Sequence, residues 1–310
     1  IPEAASRYYQ ETSTYYSVAP SNVTTTTITD SRLATLGGAN LVGSYVYIWR
    51  SPNDVSFVKI SAFDSGTNTI TFPTTSVYTN KNTLYAIANY MGDTVFNREG
   101  QYYFNPVANG GGTYDLYVWP LGNIDLTTTG EITTSVRSVG ININAKDYVT
   151  IEGFYIERQN GDSNGEGSAI YQSNSSRSTD LLVTNNEVAL GNGVSGGSIN
   201  FQWVDSSTIS NNYVHDTLGN MRGIQAGGAT QLTISGNQVR NISRTGIYFG
   251  DVDNSEISGN TVTDIFSSHG NGITVYQGSD TINVFNNIIR NSNVDYTMES
   301  SSNIHTYNNL

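Results

Sequence analysis

The sequence predicts an all-β protein in which a strand-rich N-terminal region, residues 1–137, precedes a parallel β-solenoid over residues 138–310. Three observations carry that expectation. An asparagine-anchored hexapeptide recurs along the second half, a Gly-Ile dipeptide recurs between its copies, and the first half replaces this period with aromatic strand pairs. Composition removes other classes. The 310 residues contain no cysteine, which excludes a disulfide framework and a thiolate metal site. A net charge of −12 disfavours nucleic acid as a partner. No apolar run approaches the ~18 residues of a membrane span, so membrane insertion is not expected. The 21 tyrosines and 10 phenylalanines argue against disorder.

In the first region the strand pairs come in order. Tyr45–Trp49, Val55–Ile60 and Thr69–Phe72 are aromatic-rich strand segments, and the turn Asp64-Ser65-Gly66-Thr67-Asn68 precedes the third. Gln101–Phe104 and Leu116–Pro120 flank Asn109-Gly110-Gly111-Gly112. These are hairpin signals with Gly/Asn turns. The region is expected to cap the open edge that a solenoid presents.

In the second region the anchor asparagines 186, 212, 237, 260, 287 and 309 stand 26, 25, 23, 27 and 22 residues apart. Each sits in a unit such as Ile209-Ser210-Asn211-Asn212-Tyr213-Val214, and an earlier unit has Phe154 in the anchor place. A second strand is marked by Gly223-Ile224, Gly246-Ile247 and Gly272-Ile273, with Ser198-Ile199 and Ala169-Ile170 as variants. A period in the twenties built of short β-branched strands implies a solenoid whose units bury their apolar sides only against neighbours ~4.8 Å away. Asparagine suits the turn because it tolerates left-handed backbone and can hydrogen-bond from coil to coil. About seven coils are expected. The last stops at Asn309-Leu310, so the solenoid is expected either to be truncated there or to self-associate end to end.

These units resemble the right-handed parallel β-helix superfamily, the pectate-lyase-like proteins and β-helix glycoside hydrolases. The string Gly100–Phe104 … Leu116–Pro120 resembles a segment that in some β-helix glycoside hydrolases forms a small β-sandwich inserted before the solenoid. The resemblance implies a right-handed parallel β-helix with an N-terminal cap or inserted β-sandwich-like subdomain, and a secreted or cell-surface protein that meets a polysaccharide. The family's motifs do not transfer. The Lys–Arg pair of β-helix alginate and chondroitin lyases has no counterpart, because Lys146 is the one lysine of the solenoid. The Asp-Pro-His-Glu motif of mannuronan epimerases is absent, and the Gly-His-Gly motif of polygalacturonases is met only by Ser268-His269-Gly270.

Laying the units over one another gives columns. One reads Glu157, Ala189, His215, Arg240, Thr263, Arg290, and the next Arg158, Leu190, Asp216, Asn241, Asp264, Asn291. The loops that follow add Arg222, Arg244 and His269. Two chemistries fit this edge: β-elimination on a uronate, with His215 as base and Arg240 one coil away steadying the enolate, or glycoside hydrolysis by Asp216 and Asp264, two coils or ~9.6 Å apart. Bracing of polar loops is the competing reading. Substrate contacts are expected from Arg222 and from the Gly-Ile strand's outward residues Tyr171, Gln225, Tyr248 and Tyr276, whose aromatic faces and amides suit sugar rings. No cofactor is required; Ca²⁺ has one candidate loop, where Asn160, Asp162 and Asn164 alternate as oxygen ligands, with a plain solvated loop as the competing reading. Residues 138–310 hold 16 acidic and seven basic residues, which favours a neutral glycan or a calcium-assisted site over a bare polyanion. The opposite functional class is a non-catalytic structural or adhesive surface or filament protein.

Overall fold

The computed structural model describes residues 16–36, 38–51, 54–77, 81–88, 102–104, 115–118, 135, 137–161, 167–173, 175–193, 196–265 and 269–310. The chain divides into two compact units, one spanning Gln10–Thr133 and the other holding Thr134–Leu310.

The N-terminal unit is built of antiparallel sheets. Tyr16–Val18, Thr83–Ala88, Tyr45–Ser51 and Asp54–Lys59 form a four-stranded sheet in that order, and Thr27–Thr29, Thr69–Thr71 and Ala62–Asp64 form a second. The expected turn forms because Asp64 accepts bonds from the Gly66 N–H and the Thr67 hydroxyl, each at 2.8 Å, while Asn68 takes a φ of 54°. Asparagine tolerates that left-handed conformation better than most residues. Ile28, Leu33, Leu41, Ile48 and Ile70 are fully buried beneath the sheets. Tyr102–Phe104 pairs antiparallel with Leu116–Val118 as expected; the glycine run between them lies outside the described residues.

The second unit is a parallel β-solenoid with three sheets. Its first sheet stacks Ile141–Asn142, Ile170–Gln172, Gly197–Gln202, Arg222–Gly227, Thr245–Gly250, Asn271–Tyr276 and Val294–Met298. The second runs from Thr150–Glu152 through Thr208–Ser210 and Asp253–Ser258 to Ser302–Tyr307, and the third from Tyr155–Glu157 through Tyr213–His215 and Gln238–Ile242 to Ile288–Ser292. With seven, seven and six strands, the described coils number six and two thirds. Each sheet contributes one aliphatic ladder. Ile151, Val183, Ile209, Ile234, Ile257 and Val284 align in register and are all buried, as the repeat predicts. Val188, Val214, Val239, Val262 and Ile289 form the ladder of the third sheet.

The repeat signatures have separate physical causes. At the corner between the second and third sheets, the left-handed residue is the one before the anchor: Asn185, Asn211, Gly236, Gly259 and Asn286 have φ between 55° and 65°. The anchor itself turns inward. Asn237, fully buried, accepts the Asn212 backbone N–H at 2.9 Å and donates from Nδ2 to the Ile209 carbonyl at 3.0 Å. Asn212, Asn260 and Asn287 repeat both bonds one coil at a time. Phe154, at the start of the ladder, needs only to donate its N–H to Asn186 Oδ1, and its side chain is exposed. The Gly-Ile glycine is demanded by close approach. A Cβ at Gly223 would lie 2.6 Å from Val239 Cγ1, one at Gly246 2.4 Å from Val262 Cγ1, and one at Gly272 2.5 Å from Ile289 Cγ2. There the first sheet begins hard against the ladder of the third.

Candidate functional site

The residues singled out from the sequence separate into two groups on the solenoid. His215 and Arg240 are neighbours in register on the third sheet, as the columns require. Asp216, Asn241, Asp264 and Asn291 form a left-handed bend one residue further on, with φ between 54° and 60°. Their side chains bind one another. Asp216 accepts from Asn241 Nδ2 and meets His215 Nδ1 at 3.0 Å; Asp264 accepts from Asn291 Nδ2 and from Arg240 Nε, each at 3.0 Å. The other ring nitrogen of His215 lies 3.2 Å from Glu187, and the ring stacks on Tyr213 at 4.1 Å. Both oxygens of each aspartate and both nitrogens of His215 thus have protein partners. This network braces a bend.

Arg222, Arg244 and His269 sit elsewhere, on the leading edge of the first sheet. Arg222 opens its strand in register with Gly197. Arg244 directly precedes Thr245, and Thr245 pairs with Asn271, two residues after His269. Three successive coils therefore bring a guanidinium, a second guanidinium and an imidazole to one edge. Arg222 is only 9% exposed. Its Nη1 donates to Gln225 Oε1 at 2.7 Å, and its guanidinium carbon stands 4.3 Å from the centre of the Tyr248 ring, a cation–π contact. Burial, reinforced by the like charge of Arg244, pushes Arg222 down from the ordinary arginine range, but guanidinium stays protonated at neutral pH. Burial, then Arg244 and Arg222, pushes the His269 imidazole down from the ordinary histidine range.

From that edge the outer face of the first sheet extends as an in-register row of Tyr171, Asn200, Gln225, Tyr248 and Thr274. Tyr171, Gln225 and Tyr248 are half-buried, and burial raises the pKa of both tyrosines. The next outward row reads Gln202, Gly227, Gly250, Tyr276. Tyr248 and Gln202 lean over the glycines: a Cβ at Gly250 would meet the Tyr248 hydroxyl at 2.8 Å and one at Gly227 would meet Gln202 Oε1 at 2.4 Å. Tyr248 Oη also donates to Gln277 Oε1 at 3.0 Å.

Trp203 was not legible as a site residue. It follows the strand Gly197–Gln202, holds a left-handed φ of 56° and remains 48% exposed. Its indole lies over Gly228 of the next coil, where a Cβ would stand 2.7 Å away, and the Arg177 guanidinium is 5.8 Å from the ring. A tryptophan costs more than asparagine or glycine in this conformation. The signal in the sequence is Gly227-Gly228 one coil on, which clears the space for the ring.

Of the calcium candidates, Asp162 and Asn164 lie outside the described residues. Asn160 Oδ1 accepts from Asn192 Nδ2 at 2.6 Å, and its backbone bridges to the same residue. Among the described residues no group of three acidic, histidine or cysteine side chains is placed to hold a metal, and no helix is long and apolar enough to cross a membrane.

Stacked coils, three parallel sheets and inward ladders define a right-handed parallel β-helix. The profile of the right-handed beta helix region family matches residues 139–310, and the chain belongs to that family. A search of curated proteins found no match. Among solved structures, a protein described as a glycoside hydrolase superposes with a TM-score of 0.58 at 11% identity, over 99% of this chain and 75% of its own. The catalytic unit of a GH87 α-1,3-glucanase from Streptomyces thermodiastaticus strain HF3-3 aligns over 94% of this chain and 69% of its own, with 15% identity and a TM-score of 0.28. The tailspike protein gp49 of Pseudomonas phage LKA1 aligns over 90% and 46%, with 12% identity and a TM-score of 0.24. At these identities the likeness is one of fold.

Proposed function

We propose that this is a secreted or cell-surface protein that binds a polysaccharide along the outer face of the first sheet. The observation that carries the reading is the half-exposed set of Tyr171, Gln225 and Tyr248 in one in-register row, in which Asn200 is buried. Half-buried aromatic rings offer apolar faces to sugar C–H patches, and the half-buried Gln225 amide between them meets hydroxyls. Successive coils repeat these groups every ~4.8 Å, so an extended chain of sugars crosses several of them. The exposed indole of Trp203 continues the same surface at the trailing edge. The glycoside hydrolase of similar fold is consistent with a carbohydrate ligand.

Bond cleavage belongs to the leading edge in this reading, because His269 falls there one coil from Arg244, whereas Asp216, Asp264 and His215 are bound up in the bend. A non-catalytic adhesive role is the second reading, favoured by that same saturated bend network, which serves stiffness alone. One screen separates the three outcomes. A polysaccharide panel is read by affinity electrophoresis, by new reducing ends and by ultraviolet absorbance of unsaturated products. Reducing ends alone mean a hydrolase, reducing ends with absorbance a lyase, and retardation without either an inert binder. Retardation by no polysaccharide refutes the proposal.

A further inference from the structure

The second sheet carries an outward row that the first-sheet reading leaves unused. Thr233, Glu256, Asn283 and His305 stand in register in four consecutive coils. Gln231 and Asn254, with the first three of these, surround a hollow of about 260 Å³. Its floor is closed: Ser255 Oγ accepts the Leu232 N–H at 2.9 Å and donates to the Asp253 carbonyl at 2.6 Å. Its rim is open. Glu256 accepts one long bond from Ser258 Oγ at 3.3 Å and belongs to no ion pair among the described residues. The side chains of Asn254, Asn283 and His305 have no hydrogen-bond partner among the described residues. The corner just before this strand shows the contrast, since Asp280 accepts from Asn303 Nδ2 at 2.7 Å, from Thr281 Oγ1 at 2.9 Å and from Ser302. Beside the hollow the same face turns aromatic. Phe285 follows Asn283 by two residues, about 7 Å along the strand, and its ring stacks on that of Tyr307 in the next coil at 4.9 Å and 5°. Phe285 is half-buried and Tyr307 exposed.

We infer that this hollow is a second saccharide site, which takes a neutral sugar residue. It lies on a different sheet from the surface proposed above and does not rest on that reading. Complementarity names the occupant. A carboxylate only accepts hydrogen bonds and an amide both donates and accepts, so the rim calls for a ligand rich in donors. A net charge of −12 and Glu256 itself oppose an acidic one. Vicinal hydroxyls present paired donors to Glu256 and accept from the two amides. Glu256 and Asn283 stand one coil or ~4.8 Å apart, within reach of one sugar ring. The Phe285–Tyr307 pair meets the apolar C–H patch of that ring or of its neighbour.

The test titrates the intact, isotope-labelled chain with the methyl glycosides of glucose, galactose and mannose. Nuclear magnetic resonance follows the side-chain amides of Asn254 and Asn283, each assigned through its alanine variant. The expected result is a saturable shift of both amides with at least one glycoside. Its Kd should be on the order of 1–10 mM, because a single ring buries little surface. Glu256→Gln keeps the shape and loses the charge-assisted acceptor, so it should weaken that Kd roughly tenfold. Tyr248→Ala on the first sheet should leave it unchanged, and thermal unfolding checks that both variants fold. No saturable shift with any glycoside up to about 100 mM overturns the site, as does a Kd that Glu256→Gln leaves unaltered in a folded protein. A response to methylammonium chloride and to none of the glycosides assigns the hollow to a cation and overturns it too. Each of these failures leaves the first-sheet reading standing, because affinity electrophoresis with polysaccharides reads that surface separately.

Discussion

Replacing Asn237 by alanine tests the buried ladder. Asn237 is fully buried, and its carboxamide accepts the Asn212 backbone N–H while donating to the carbonyls of Ile209 and Ser235. Truncation orphans a buried N–H and leaves the Ile209 carbonyl short of its donor. Each orphaned buried polar group costs about 1–3 kcal/mol, so two give about 2–6 kcal/mol. In a unit of this size each kcal/mol moves Tm by about 2–4 °C, for a drop of roughly 10 °C. Asn309→Ala serves as the internal control. That side chain is only partly buried and supports the coil on one side alone, through Asn287 N and Val284 O, so its loss should be less than half as large. Thermal unfolding followed by circular dichroism at two scan rates reads both, the second rate guarding against irreversible unfolding. An Asn237→Ala variant that melts within about 2 °C of the parent protein would refute the claim that coil-to-coil carboxamide bonds stabilise the solenoid.

Gly246→Ala should lower stability by about 1–3 kcal/mol through overpacking, since the new Cβ would stand 2.4 Å from Val262 Cγ1 and 2.6 Å from the Gly272 carbonyl; denaturant unfolding checks this. Ile234→Ala should cost about 2–5 kcal/mol as a buried large-to-small change, read the same way. His269 has a folded pKa below 6.5, so the unfolded chain binds more protons as pH falls through that region; stability should be full above about pH 6.5 and decline below it, and His269→Gln should flatten that decline in unfolding curves at pH 7.5 and 5. Trp203→Gly removes a half-exposed indole from a left-handed position that glycine occupies freely, so Tm should change little while affinity for a bound polysaccharide falls at least several-fold; a large loss of Tm with unchanged affinity would assign Trp203 to packing.

The repeat was legible because both of its marks answer to steric or hydrogen-bonding demands that recur at every coil. The Asn-Asn pair divides its labour between Asn211, which supplies the left-handed bend, and Asn212, which faces inward; from the sequence the two roles fall on one residue type and cannot be divided. The outward row was legible too, because parallel stacking keeps Tyr171, Asn200, Gln225 and Tyr248 in register once the ladder is aligned. Trp203 escaped because it lies one residue past the strand, at a bend whose other members are Gly228, Asp251 and Gln277, so alternation assigns it to no face.

Columns in a solenoid sequence bring polar residues together without saying whether they bind each other or something else. His215 and His269 illustrate the difference. Both stand near arginines in the sequence pattern, one coil from a candidate partner. In the fold His215 is held from both nitrogens by Glu187 and Asp216 and pressed on Tyr213, and Arg240 is tied to Asp264; acid and base have already met, so the network is electrostatically closed. At the leading edge of the first sheet the opposite holds. Arg222 is desolvated beside a second cation, with an unmet Nε and an amide as its acceptor. A desolvated guanidinium with an unmet Nε costs folding stability. Between two polar clusters built from the same residue types, the incomplete one is the better candidate for a ligand, because the complete one gains nothing by binding.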